Sequence, residues 1–186
     1  NGGSAHLKNL HFKGGNSLRY FRYGYQYFKG GNSLQSSITD GGSIWMSGGN
    51  LVVDFCILES GDLGKVARHG GLIYAIGSNV KIQNSKLRET HASGFGGAMC
   101  VQDSRLEIRS SDFYSCSSGT GGGLSAAFSS VVDIASSTFS SNYASLGGSA
   151  IYVQASQMKI NDTLFDSNII NTTVTESSVD HGWNAG

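Results

Sequence analysis

Proline is absent from the 186 residues, and only 14% of them carry a charge. Without proline, tight turning falls to glycine, present 27 times, about twice its usual share of ~7%. Low charge together with 39% apolar residues excludes a disordered chain. Lys plus Arg and Asp plus Glu number 13 each, so the basic excess of a nucleic-acid binder is missing. No apolar run reaches the ~18 residues of a membrane-spanning helix. A charged start followed by an apolar core is missing too, so no signal peptide is read. The chain opens at Asn1, not at a Met, and reads as a processed chain or a segment of a longer one. Three cysteines, Cys56, Cys100 and Cys116, lack zinc-type spacing and allow one internal disulfide at most; buried free thiols are the plainer reading. Few stretches combine helical spacing with strong helix formers, so long helices are not expected.

What the chain does have is a repeat. Gly-Gly pairs stand at Gly41-Gly42, Gly70-Gly71, Gly96-Gly97 and Gly122-Gly123, and Gly148-Ser149 continues the series. The residues after each pair, Ser43, Leu72, Ala98, Leu124 and Ala150, are separated by 29, 26, 26 and 26 positions. A nearly constant period of this length means stacked structural units. The columns agree. Next after the anchors come Ile44, Ile73, Met99, Ser125 and Ile151. Further on come Leu51, Val80, Leu106, Val132 and Met158, then Val53, Ile82, Ile108, Ile134 and Ile160. A fourth column holds Leu58, Leu87, Phe113, Phe139 and Phe165.

Around Leu106 and Ile108 the flanking residues are Arg105, Glu107 and Arg109, an alternation that marks a half-buried strand. Neither the Leu-x-x-Leu-x-Leu pattern of leucine-rich repeats nor helical spacing is present. The expected fold is all-β, a parallel β-helix of about five coils over residues 41–168. Residues 1–40 form an aromatic-rich cap or short coils, and residues 169–186 a tail or the start of a further coil. A lone coil cannot offset its lost conformational freedom; stacking seals its apolar columns from above and below.

Two outward columns are expected. Val52, Lys81, Glu107, Asp133 and Lys159 would form a charge ladder, Lys81 beside Glu107 and Asp133 beside Lys159. Ser85, Ser111, Ser137 and Thr163 would form a hydroxyl ladder at a corner, with ice or sugar binding as a minor reading.

Starts such as Gly96-Gly97-Ala98-Met99 and Gly148-Ser149-Ala150-Ile151 are joined by Phe-x-x-Asn ends, Phe139-Ser140-Ser141-Asn142 and Phe165-Asp166-Ser167-Asn168. Phe113-Tyr114-Ser115-Cys116 departs at its last residue, and the first two sites have degraded to Leu58 with Gly61 and Leu87 with Thr90. The paired motifs resemble the repeat of the chlamydial polymorphic outer-membrane proteins, within the wider pectin-lyase-like right-handed parallel β-helix group. The resemblance implies a β-helix and, more loosely, a surface protein or adhesin. In physical terms Phe should fill the interior, Asn should bond backbone at a turn and stack on the next Asn, and the Gly pair should hold a bend that a Cβ would obstruct.

Within residues 1–40, Phe12–Leu18 recurs as Phe28–Leu34, and between them lies a basic, aromatic stretch. Tyr20, Tyr23, Tyr25 and Tyr27, with Trp45 and Tyr74 of an exposed aromatic column continued by Tyr152, are the candidate contact surface. The three extra residues of the first interval are expected between Glu59 and His69. His69, His91 and Asp62 have no diagnostic metal spacing, so neither a metal nor a cofactor is expected. Asn161-Asp162-Thr163 and Asn171-Thr172-Thr173 are glycosylation sequons. Asp103, Asp112, Asp133, Asp162 and Asp166 fall in five different columns, so no catalytic acid pair is read.

The functional expectation is a non-enzymatic, extracellular or cell-surface structural or adhesive β-helix, part of a larger surface, filament or sheath protein. Its partners would be other protein chains, copies of itself or cell-surface glycans. The alternative is a β-helix that binds or degrades polysaccharide.

Overall fold

A computed structural model describes residues 4–9, 11–13, 19–23, 26–30, 42–59 and 67–171. Among these residues there is no helix, and the strands wind into a solenoid of about five turns with three parallel sheets. The first sheet stacks Ser4–Lys8, Asn50–Asp54, Asn79–Gln83, Arg105–Arg109, Val131–Ala135 and Gln157–Asn161. The second is led by His11–Lys13, Ile57–Glu59, Lys86–Phe95, Asp112–Thr120, Thr138–Ser140 and Leu164–Asp166. The third holds Ile44–Ser47, Ile73–Ile76, Met99–Gln102, Leu124–Ala127 and Ile151–Val153. Arg19–Tyr23 and Gln26–Gly30 form an antiparallel hairpin, and its second strand runs beside Ile44–Ser47, the edge strand of the third sheet.

The apolar files of the first and second sheets are the interior. Val80, Leu106 and Val132 pair in register, as do Val53, Ile82, Ile108, Ile134 and Ile160. Ile82, Ile108 and Ile134 are fully buried. Phe113 and Phe139 are also fully buried, and the Phe113–Phe139–Phe165 rings stack at 4.7 and 5.5 Å between centroids. Near-parallel ring stacking of this kind adds to simple area burial.

Left-handed residues mark the corners, four of them in the coil that starts at Gly70. Gly70, Gly77, Asn84 and Glu89 carry φ of 58°, 57°, 50° and 50°, and Gly96 opens the next coil at 65°. Asn tolerates this region, and glycine enters it without penalty. Between corners the backbone of neighbouring coils approaches closely. A Cβ on Gly97 would strike the Gly122 carbonyl and the Ser117 backbone, so the residue must be glycine.

Polar side chains at three corners bond the coils together from inside. Ser85 accepts the Cys56 N–H at 3.0 Å, Ser111 accepts that of Ser85 at 3.1 Å, and Ser137 that of Ser111 at 3.2 Å. Each serine hydroxyl donates to the carbonyl two residues before it, as Ser85 does to Gln83 at 2.6 Å. Ser78, Ser104, Ser130 and Ser156 repeat the device at a second corner. The third corner uses Asn142 and Asn168, whose amides donate to the carbonyls of Phe113 and Phe139 at 2.9 and 2.8 Å. The Phe and Asn of the motif therefore play the two roles expected of them. The hydroxyl ladder expected at a corner is there, but it faces inward and not outward: Ser85, Ser111 and Ser137 are buried. A left-handed residue precedes each of them and turns the side chain inward, where it satisfies backbone N–H groups that water cannot reach.

The period also needs correction. On the third sheet Met99 pairs with Leu124 and Leu124 with Ile151, steps of 25 and 27. The first sheet keeps 26, as in Ile108 to Ile134. The step shortens between Ser117 and Thr120, where the pairing with the preceding strand shifts. The residue returns at Phe128 and Ser129, two successive left-handed positions. Leu124, not Ser125, thus fills the interior column. The extra residues of the first interval lie between Glu59 and Ala67: Lys86 pairs with Ile57 across 29 positions, and Ala92 with Ala67 across 25.

Candidate functional surface

Outward-facing groups on the first sheet form a ladder, although not quite the one expected. Lys81 pairs with Glu107 at 3.4 Å. Glu107 and Asp133 stand side by side, and Arg109 separates their charges. Its Nη2 donates to Asp133 Oδ2 at 2.8 Å, Nη1 donates to the Asp133 carbonyl at 2.9 Å, and Nε lies 3.5 Å from Glu107. The expected partner of Asp133 was Lys159. Arg109 takes that place because period two puts it on the same face as Glu107, and its planar fork reaches a carboxylate and a carbonyl together. Hydrogen bonding by Arg109, followed by its charge and that of Lys159, holds the Asp133 carboxyl below its ordinary range against the opposing effect of desolvation. Asn79 donates to Asn50 at 3.0 Å and Asn50 to Ser4 at 3.2 Å, an amide ladder on the same face.

The second sheet carries a cluster that the sequence reading missed. Glu59, Arg88 and Tyr114 occupy one outward column on three successive coils. Arg88 Nε and Nη2 both reach Glu59 Oε2 at 2.7 Å, and Nη1 donates to the Tyr114 hydroxyl at 2.6 Å. Glu59 is buried beneath the guanidinium. The bonds to Tyr114 and Glu59 raise the Arg88 pKa, so the cation is fixed. The signal lay in the 29- and 26-residue spacing of Glu59, Arg88 and Tyr114, the same spacing that gave the apolar columns.

At the junction of the second and third sheets the rings of His69, Phe95, Tyr74 and Tyr152 gather. Centroid distances are 5.3 Å for His69–Phe95, 5.9 Å for His69–Tyr74 and 6.3 Å for Phe95–Tyr152. Phe95 is 39% exposed, whereas Tyr74, expected on an exposed column, is only 5% exposed. Tyr74 does point away from the interior, but the His69 ring packs on it from the adjoining sheet, and Trp45 and Cys100 flank it in register. Trp45 is half-buried. Tyr20, Tyr23 and Tyr27 lie in the hairpin strands, their side chains outside the described residues; Tyr25 and Asp62 lie outside them altogether. Asn161 and Asn171 are exposed. His91 is exposed and pairs with Ser117 Oγ at 2.8 Å. Among the described residues no three metal-binding side chains gather, and no helix is long and apolar enough to cross a membrane.

All three cysteines are buried, and none of them forms a disulfide. Cys56 and Cys116 occupy the ladder positions held elsewhere by Ser and Asn, and burial pushes the Cys116 thiol up to about 12.

Stacked parallel strands, a sealed apolar interior and polar corner ladders define a β-solenoid. Residues 1–170 match the family described as right handed beta helix region, and the chain belongs to that family. No curated protein and no solved structure matches it.

Proposed function

We propose that the chain is a non-enzymatic, extracellular structural or adhesive solenoid, a stiff segment of a larger surface, filament or sheath assembly. One observation carries this reading: four outward acids that stack between coils are spent on tying coil to coil. Glu59 is held by Arg88, Glu107 by Lys81, Asp133 by Arg109 and Asp112 by Lys86. An acid locked to a cation is a poor general acid or base, because its proton affinity is set for structure. The likeness of the Gly-Gly and Phe-x-x-Asn motifs to the chlamydial repeat adds a surface role to this reading. Exposed Asn161 and Asn171 fit a secreted glycoprotein, and release of glycan from the protein secreted by eukaryotic cells would test that part.

The deciding experiment incubates the protein with acidic polysaccharides and follows chain cleavage. No turnover is expected. Turnover that disappears in Glu59→Gln or Asp133→Asn overturns the structural reading. The half-exposed Phe95 beside Tyr152 favours polysaccharide binding as a second reading, since exposed rings stack on sugar faces. Retention on immobilised glycans that is lost in Phe95→Ala would support it.

A further inference from the structure

The rings at the junction of the second and third sheets cover a hydroxyl. On the third sheet Tyr74, Cys100, Ser125 and Tyr152 form one outward column. Its two middle members are small and alternate with the core residues Met99, Val101, Leu124 and Ala126, yet each is only 1% exposed. Tyr152 follows Ser125 in register, and its ring reaches back to within 6.3 Å of the Phe95 ring. The Ser125 hydroxyl beneath has no hydrogen-bond partner among the described residues. Thr90 and Ser118 share that state but lie in columns that face the interior; of the three, Ser125 alone faces out.

Phe95 is held on the surface by its backbone. The pairing of its strand shifts before Phe95 on both sides, and a bulge of this kind re-aims a side chain. The Phe95 N–H donates to His69 Nδ1 at 3.3 Å. The His69 ring fits there because Gly94 has no Cβ, which would lie 3.0 Å from it. In the row of Phe95 the next two coils hold Thr120 and Gly147, and a Cβ on Gly147 would meet open space. The Phe95 ring thus stands beside a low stretch of the surface. Phe95 and Tyr152 are within the ~4.5–7 Å of rings in direct contact, so nothing fits between them and a ligand would lie on their outer surface. The surrounding side chains of His69, Tyr74, Phe95, Ser125 and Tyr152 include no carboxylate, lysine or arginine. Apolar ring faces with one polar anchor and no countercharge suit an uncharged ligand that has a C–H face and a rim of hydroxyls.

We propose that Phe95, Tyr152 and Ser125 form a subsite for one neutral sugar residue. Its C–H face lies on the two rings, and one of its hydroxyls pairs with Ser125 when the half-buried Tyr152 ring turns aside. The bound sugar then supplies the partner that the Ser125 hydroxyl lacks. The proposal rests on the second, polysaccharide-binding reading above and narrows it to uncharged glycans, with acidic polysaccharides as the poorer ligands.

Titration of the whole chain with oligosaccharides of glucose, mannose and galactose, followed by saturation-transfer NMR, tests it, with oligogalacturonate as the acidic comparison. At least one neutral series should bind, and oligogalacturonate should bind more weakly. Phe95→Ala should abolish binding. Ser125→Ala should weaken it about three- to tenfold, the worth of one hydrogen bond. The Ser125 variant should melt no lower than wild type, because the hydroxyl it removes has no partner in the unliganded fold. Circular dichroism and melting establish that Phe95→Ala is folded; should it fail, Phe95→Leu keeps the apolar bulk and removes the flat face. Neutral-sugar binding that survives both the Phe95 and the Ser125 changes overturns the subsite and leaves polysaccharide binding to another surface. Loss in Phe95→Ala with no change in Ser125→Ala overturns the role of the hydroxyl, and preference for oligogalacturonate overturns the choice of a neutral ligand. A chain that binds none of these sugars overturns the subsite and the polysaccharide-binding reading together.

Discussion

The side-chain amide of Asn142 donates to the carbonyl of Phe113, one coil earlier, at 2.9 Å. Its Oδ1 accepts the Cys116 N–H at 3.1 Å, and its own N–H goes to Asn168 Oδ1 at 3.0 Å. Asn142 is fully buried, so water cannot replace it at any of these bonds. Asn142→Leu should leave the Phe113 carbonyl and the Cys116 N–H unpaired, at a cost of about 2–4 kcal/mol. Urea unfolding would report the loss, and faster hydrogen exchange at the Cys116 amide would place it. An unchanged Cys116 amide would mean that the Asn ladder is incidental.

Cys116 is where that ladder is interrupted. Its thiol reaches the Leu87 carbonyl at only 3.6 Å, and it lies in the same column as Asn142 and Asn168. Cys116→Asn should restore an amide at this position and raise stability by about 1 kcal/mol. The same change should alter the alkaline limb of stability. Burial raises the folded thiol to about 12 from an ordinary value of 9.0. The unfolded chain therefore loses this proton first, and the contribution of the thiol, intact below 9, is lost as pH rises through the window up to 12. Melting temperature should fall above pH ~9 in the wild type and less steeply in Cys116→Asn. Equal slopes would show that the thiol is not the group responsible.

The apolar columns were legible because one interior side chain per strand face repeats at a fixed distance. Other features were not, for physical reasons. Gly121, Gly122 and Gly123 allow either of two frames for the same bend, and the Gly-Gly spacing favoured the one that the corner at Gly121 rules out. Ser125 in an otherwise apolar column was the warning. Ser85, Ser111 and Ser137 recur regularly, but spacing does not say which way a left-handed corner turns its side chain. Tyr74 alternates outward as expected; its cover comes from His69 on another face, which no local pattern reveals. Arg109 and Asp133 are 24 positions apart, so a column-by-column comparison at 26 passes over the pair.

Ser118 stands in an interior column between Ala92 and Ala144, both fully buried. Its hydroxyl is buried among them with no hydrogen-bond partner. A polar group in that position costs free energy that a methyl would not. Ser118→Ala should be neutral or stabilising by about 1 kcal/mol, contrary to the usual direction of core substitutions. Thermal melting decides it. A clear destabilisation would mean that the hydroxyl has a partner, such as an ordered water, and that this column is wet.

Asp133 links the charge ladder to acid stability. Arg109 and, more weakly, Lys159 hold its carboxyl below the ordinary range. A carboxyl lowered in the folded state contributes stability above its unfolded pKa, about 3.9, and that contribution is lost as pH falls through the folded value. Asp133→Asn should therefore melt slightly lower than wild type at neutral pH and lose less on acidification, so that the two curves converge in acid. Raising the salt concentration should narrow the neutral gap, because the pair is partly open to solvent. Parallel curves at all pH values would mean that Arg109 holds the neighbouring coil through the Asp133 carbonyl alone, a bond that the Asn variant keeps.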